Sequence, residues 1–214
     1  SSLKAMDPSG MRRYHQRRYQ GPNCCLAVAG AIPNDLINQV RGSALTALSN
    51  EADAAAPNPY AQGSRSAEQL PFQSGRECHR FPRLESARLV MVWPTAAASD
   101  PIGVAGADLA TTILSEGRRS RLVQRLREDL QIVESIDMDV TTLEQGSLVM
   151  LEACCPEEQL ERVEQEINQE LLRSAEEPML EEERSRALQL VGNGYRFSLE
   201  APGSVAACAG SQAV

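Results

Sequence analysis

The chain has 214 residues, of which 42% are apolar and 4% aromatic, and a formal net charge of −8. That is enough for one large domain, or two small ones sharing a sheet, with a core built from Leu, Val, Ala and Ile. The acidic balance argues against nucleic acid as the main partner, and no stretch is apolar for long enough to span a bilayer.

Asp7-Pro8-Ser9 offers cap and first-turn chemistry for a short helix over Gly10–Tyr19. The run MRRYHQRRYQ is basic with interleaved tyrosines. On an acidic chain it reads as a solvated helix with two packed Tyr rings rather than a nucleic-acid patch. Cys24–Ile32 (CCLAVAGAI) is a continuous apolar run and predicts a strand buried on both faces. Pro33-Asn34-Asp35 starts a helix with Leu36, Ile37, Val40, Ala44, Leu45 and Leu48 as its apolar stripe. Asn50–Gly75 is rich in Ala, Pro, Gly and Ser and reads as a long surface connection.

Glu77–Phe81 is a candidate short edge strand, and Ala87–Trp93 a strong one stopped by Pro94. Pro101–Leu114 reads as a helix. Ser115–Glu134 then opens with a small-residue turn and continues as a short, very basic helix with Leu122, Leu126 and Leu130 on one stripe. Ile136, Met138 and Val140 alternate with Asp137, Asp139 and Thr141, which gives a strand with one wet face. After the turn Glu144-Gln145-Gly146, Leu148–Cys155 is apolar almost throughout and predicts a central strand antiparallel to the previous one. Pro156-Glu157-Glu158 starts a helix with Leu160, Val163, Ile167 and Leu171 at helical spacing, and Glu181–Glu183 open a last helix towards Leu199. Gly192 and Gly194 weaken that helix or mark close packing. Helices grouped on one face of a mostly antiparallel sheet, a two-layer α+β domain, is the natural solution.

Little in this pattern carries chemistry. The two histidines, His15 and His79, stand in no metal-ligand spacing, and neither H-E-x-x-H nor H-x-x-E-H occurs. There is no G-x-S-x-G, P-loop or G-x-G-x-x-G. The reading therefore assigns no catalytic residue and no metal ligand. Of the six cysteines (Cys24, Cys25, Cys78, Cys154, Cys155 and Cys208), two adjacent pairs fall in expected strands, where neighbours point to opposite faces and cannot share one metal. Buried free thiols are expected, which favours a reducing, cytoplasmic setting. The acidic run Glu181–Glu183 reads as a solvated first turn. The cluster Arg118, Arg119, Arg121, Arg125 and Arg127 is either a solvent face balanced by Glu128 and Asp129 or a place where one Arg, foremost Arg127, reaches a peptide carbonyl or carboxylate.

The stretch SEGRRSRLVQRLRE with its following strand pair resembles the metal-free half-domain of the insulinase–pitrilysin–mitochondrial processing peptidase family. Three other stretches resemble the family in the same order: Arg17-Arg18-Tyr19 with Pro22-Asn23 before the apolar run and Gly30, Trp93-Pro94-Thr95, and EEERSRALQL into RFSLE. The resemblance implies a single metal-free half-domain over residues 1–214, with the zinc ligands in a preceding catalytic half. It implies a role in enclosing the substrate chamber of a zinc endopeptidase that acts on peptides or unfolded proteins, no activity alone, and no cofactor in this segment. Implied partners are the catalytic half, a peptide substrate and a second subunit in a homo- or hetero-dimer, with no nucleic acid and no membrane. Because the chain stops before the family's last elements, an excised piece is expected. The alternative is part of a non-catalytic scaffold subunit of the same family. Arg127 stands at the family's substrate-contacting Arg, but the Tyr found seven residues on is Glu134 here. That departure leaves Arg127 as either a weak substrate contact or a structural cation paired with a carboxylate such as Glu134.

Overall fold

The computed structural model describes residues 6–48 and 72–212. In chain order the elements are α1 (Pro8–Arg18), α2 (Leu36–Arg41), β1 (Ala87–Thr95), α3 (Pro101–Ser115), a π-helix (Val123–Asp129), β2 (Ser135–Thr141), β3 (Ser147–Cys155), α4 (Leu160–Glu176), α5 (Glu181–Ser198) and α6 (Pro202–Gln212). The chain divides into two compact units, residues 66–194 and residues 1–65 with 195–214.

The unit of residues 66–194 holds the sheet. Its order is β1-β3-β2, with both pairings antiparallel. β3 is central because its inward residues Leu151, Ala153 and Cys155 are apolar and fully buried. β2 alternates as its sequence demands, with Ile136 buried and Asp137 and Asp139 exposed. Gly146, at φ 146°, closes the turn between the two in a conformation that favours glycine. One sheet face is covered by α3, α4 and the π-helix. Leu122, Leu126, Ile132, Val133, Ile136, Leu151, Val163 and Ile167 meet there in one core. The helical spacing of α4 thus buries the residues it should, Val163 and Ile167, with Leu160 and Leu171 packed at the margin.

Local chemistry fixes α3. Asp100 caps it by accepting the Gly103 N–H at 3.0 Å, and Pro101 supplies the preset first turn. A Cβ on Gly103 would lie 2.5 Å from the Asp100 carboxylate and 2.6 Å from the Ala96 Cβ, so the cap needs glycine. At the other end Ser115 Oγ accepts the Met138 N–H at 2.9 Å and ties α3 to β2. One expectation in this unit fails, and one pair of alternatives is narrowed. Glu77–Phe81 is irregular and exposed, with no strand beside it among the described residues. Gly192 and Gly194 face open space, so they mark no close packing.

The other unit contains α1, α2, the end of α5 and α6. Asp7 caps α1 through the Gly10 N–H. Tyr14 of α1 and Tyr19 just after it are exposed and interact locally instead of packing: Tyr19 stacks on His15 with centroids 4.4 Å apart. Cys24–Ile32 is not a buried strand. It forms no ladder among the described residues, and Leu26, Val28 and Ile32 are 55%, 43% and 52% exposed. Its small residues lie against α6, where a Cβ on Gly210 would come within 3.3 Å of Ala27. The run has the composition of a buried strand, but no neighbouring strand satisfies its backbone or covers its larger side chains. Cys24 and Cys25 are therefore exposed, contrary to expectation. The helix expected to run from Leu36 to Leu48 ends at Arg41. Ser43 then caps a separate 3₁₀ turn, Ala44–Ala47, by accepting the Leu45 N–H. Ile37 and Leu45 of its supposed stripe are exposed. Most of the connection expected over Asn50–Gly75 lies outside the described residues; residues 72–75 are exposed and irregular.

Candidate functional site

The basic segment between α3 and β2 is folded from within. Gly117, at φ 82°, turns the chain, Ser120 Oγ donates to the Gly117 carbonyl at 2.7 Å, and the Ser120 carbonyl accepts the Gln124 N–H at 2.8 Å. Leu122 and Leu126 are fully buried and Val123 nearly so, which decides which side faces inward. Residues 123–129 then form a π-helix rather than the expected α-helix, closed by Leu130 N–H to the Arg125 carbonyl at 3.1 Å. Gln131 follows in the left-handed region at φ 53°. Single π turns are rare and often sit at functional sites.

Four of the five clustered arginines are committed to carboxylates. Arg118 pairs with Glu128 at 2.8 Å and Arg119 with Glu182 at 3.7 Å, both with exposed guanidinium groups. Arg125 reaches Glu166 of α4 with Nε and Nη2 at 3.1 and 2.9 Å. Arg121 grips both oxygens of Glu183 at 2.7 Å each and adds Ser174 Oγ at 3.1 Å, with both ionic side chains only 14% exposed. The Arg121 fork holds the Glu183 carboxyl at about 2, helped by the Leu180 N–H and against a burial effect in the other direction. Glu183 was expected in a solvated first turn; only Glu181 and Glu182 fit that description. Its partner lies 62 residues away, so no local pattern could have exposed the pairing.

Arg127 points outward from the π-helix and is exposed. It forms no ion pair with a carboxylate among the described residues. Its charge adds to the lowering of the Glu128 carboxyl, which the Arg118 hydrogen bond dominates. Glu134 does not take the structural role offered to it either. It accepts Ser86 Oγ at 2.8 Å and faces Cys154 Sγ at 3.6 Å.

The uncovered face of the sheet is ordered in rows by the register. Arg88, Cys154 and Ser135 form one, Val90, Glu152 and Asp137 the next, and Val92, Met150 and Asp139 a third. Arg88 pairs with Glu152 on this face, and Val90 and Met150 are 51% and 39% exposed. A shallow concavity of about 410 Å³ beside the start of α3 is lined by Pro101, Val104, Asp108, Val140 and Thr142 among others, with Asp108 as its one carboxylate. His79 lies 3.1 Å from Glu77, with both side chains exposed. Among the described residues no three His, Cys, Asp or Glu side chains come together as a metal site, and no helix is long and apolar enough to cross a membrane.

The family model described as the peptidase M16 inactive domain matches residues 6–191. A protease from Helicobacter pylori is similar in structure over 96% of this chain and 48% of its own, with a TM-score of 0.78 at 18% identity. A peptidase M16 inactive domain from Pseudomonas fluorescens is similar over 58% of this chain and 29% of its own, with a TM-score of 0.52 at 16% identity. At these identities the two structures speak for the fold, and the chain spans no more than about half the length of either. No curated protein matches it. The match across residues 6–191 is to the family that the Ser-Arg-Leu and Leu-Arg stretch resembles: the chain belongs to the peptidase M16 family, as its inactive domain.

Proposed function

We propose that residues 1–214 act as the metal-free half of a zinc-dependent endopeptidase for peptides or unfolded proteins, enclosing the substrate chamber with a catalytic half of the same protein, and that Arg127 is the side chain through which this half contacts the peptide. The observation that carries the Arg127 role is the distribution of partners in the arginine cluster. Arg118, Arg119, Arg121 and Arg125 each meet a carboxylate, whereas Arg127 projects from the π-helix into solvent without one among the described residues. A guanidinium left in this state offers a planar fork to a peptide carbonyl or carboxylate. The exposed free thiols of Cys24, Cys25 and Cys78 suit a reducing compartment, and we place the protein in the cytoplasm.

This reading requires the longer protein to carry H-x-x-E-H outside these residues, bind zinc in stoichiometric amount and cleave unfolded protein in a chelator-sensitive way. Residues 1–214 alone are expected to do neither, because their two histidines form no H-x-x-E-H motif to hold a water-activating metal. The alternative, a non-catalytic scaffold subunit of the family, is supported instead if the full-length protein lacks that motif and neither binds zinc nor cuts protein.

A further inference from the structure

Arg121, Glu183 and Ser174 bring three segments together: the residues just before the π-helix, the end of α4 and the start of α5. The separations along the chain are 62 and 53 residues, so the contact is a tertiary one. Glu183 also accepts the Leu180 N–H at 3.0 Å, which fixes the backbone just before α5. A two-point arginine fork sets orientation as well as distance. Four residues on, Arg125 makes a second two-nitrogen contact, to Glu166 of α4. The π-helix that carries Arg127 is thus held at both these points on its inner side. That matters because a π turn is an uncommon packing that relies on its surroundings to persist.

We propose that Glu183 and Arg121 are positioning residues that set the direction in which the π-helix presents Arg127 to a bound peptide. The role rests on the peptide-facing reading of Arg127 given above. It goes beyond ordinary stabilisation, because it predicts that the effect of Glu183 on binding passes through Arg127.

A double-mutant cycle on the full-length protein tests it. The dissociation constant for fluorescein-labelled, unfolded β-casein is measured by anisotropy with chelator present to stop cleavage. Arg127→Ala is expected to weaken binding about tenfold, equivalent to 1.4 kcal/mol. Glu183→Gln should weaken it about fivefold in the native background and less than about twofold once Arg127 is alanine. Arg121→Lys, which keeps the charge and loses the fork, should behave as Glu183→Gln does, and it replaces that variant in the cycle if Glu183→Gln does not fold. Arg119→Ala, whose pair with Glu182 is exposed, should leave binding unchanged.

Equal losses from Glu183→Gln in both backgrounds would overturn the positioning role, because the node would then act on the fold at large. The same holds if Glu183→Gln binds normally, or if neither node variant folds. If the native protein binds the casein but Arg127→Ala binds equally well, the peptide-facing reading of Arg127 fails first, and the positioning role falls with it. No binding by the native protein at all would reject the peptide-chamber function itself.

Discussion

All the fully buried side chains among the described residues lie between Thr111 and Ala187; residues 6–48 and 195–212 contribute none. Yet both regions contain apolar runs. Leu148–Cys155 and Cys24–Ile32 have similar compositions, but the first is clamped between two antiparallel neighbours and the second lies beside no strand among the described residues. A strand is made by its neighbours as much as by its own side chains. An apolar run says that a segment wants covering, and only the partner decides whether it is covered.

The sharpest way to break that contrast is to truncate one leucine on each side of it. Leu126→Ala, fully buried in the core of the first region, should cost about 2–5 kcal/mol by urea denaturation. Leu26→Ala, 55% exposed, should cost less than about 0.5 kcal/mol. Comparable losses would mean that Cys24–Ile32 is buried in solution after all.

Next in size is the acid sensitivity of the Arg121–Glu183 contact. The folded state lowers the Glu183 carboxyl from 4.5 to about 2. Its contribution to stability is therefore complete above pH 4.5 and is lost as the pH falls from there through about 2. With allowance for the water that still reaches the pair, roughly 2 kcal/mol is at stake. Stabilities from urea denaturation at pH 6 and pH 3 should differ by somewhat over half of that, about 1 kcal/mol, more in the native chain than in Glu183→Gln, because pH 3 still lies above the folded value. A difference as large in the variant would assign the acid sensitivity to other carboxylates.

The cysteines sharpen the same contrast by reactivity. Cys24, Cys25 and Cys78 are exposed and should react with a thiol reagent in the native protein, whereas Cys155 should react only on unfolding. Burial also pushes the Cys155 thiol up, so less thiolate forms. Protection of Cys24 and Cys25 would contradict the uncovered run. A small effect in the stabilising direction is expected at Gln131, left-handed at φ 53° behind the π-helix. Gln131→Gly relieves that backbone at some entropic cost and should stabilise by about 0.5–1 kcal/mol in a thermal melt.

These regions also differ in how far they could be read in advance. The β2–β3 hairpin was legible because Asp137 and Asp139 alternate with Ile136 and Met138 and because Gly146 marks the turn. α4 was legible because Leu160, Val163, Ile167 and Leu171 keep helical spacing on one buried stripe. The π-helix was not, since one extra residue per turn leaves no trace in composition. Glu183 was not, since three consecutive glutamates look alike until a distant arginine selects one. Arg127 was singled out by its place in the Leu-Arg stretch; the structure adds that its four clustered neighbours are occupied with carboxylates.

The most direct measurement is therefore the steady-state kinetics of Arg127→Ala in the full-length protein on an unfolded peptide, taken with its melting temperature. A peptide-contacting Arg127 predicts a fall in kcat/KM of about tenfold, equivalent to 1.4 kcal/mol, with the melting temperature unchanged. Unchanged kinetics with a lowered melting temperature would contradict it and return Arg127 to a structural role.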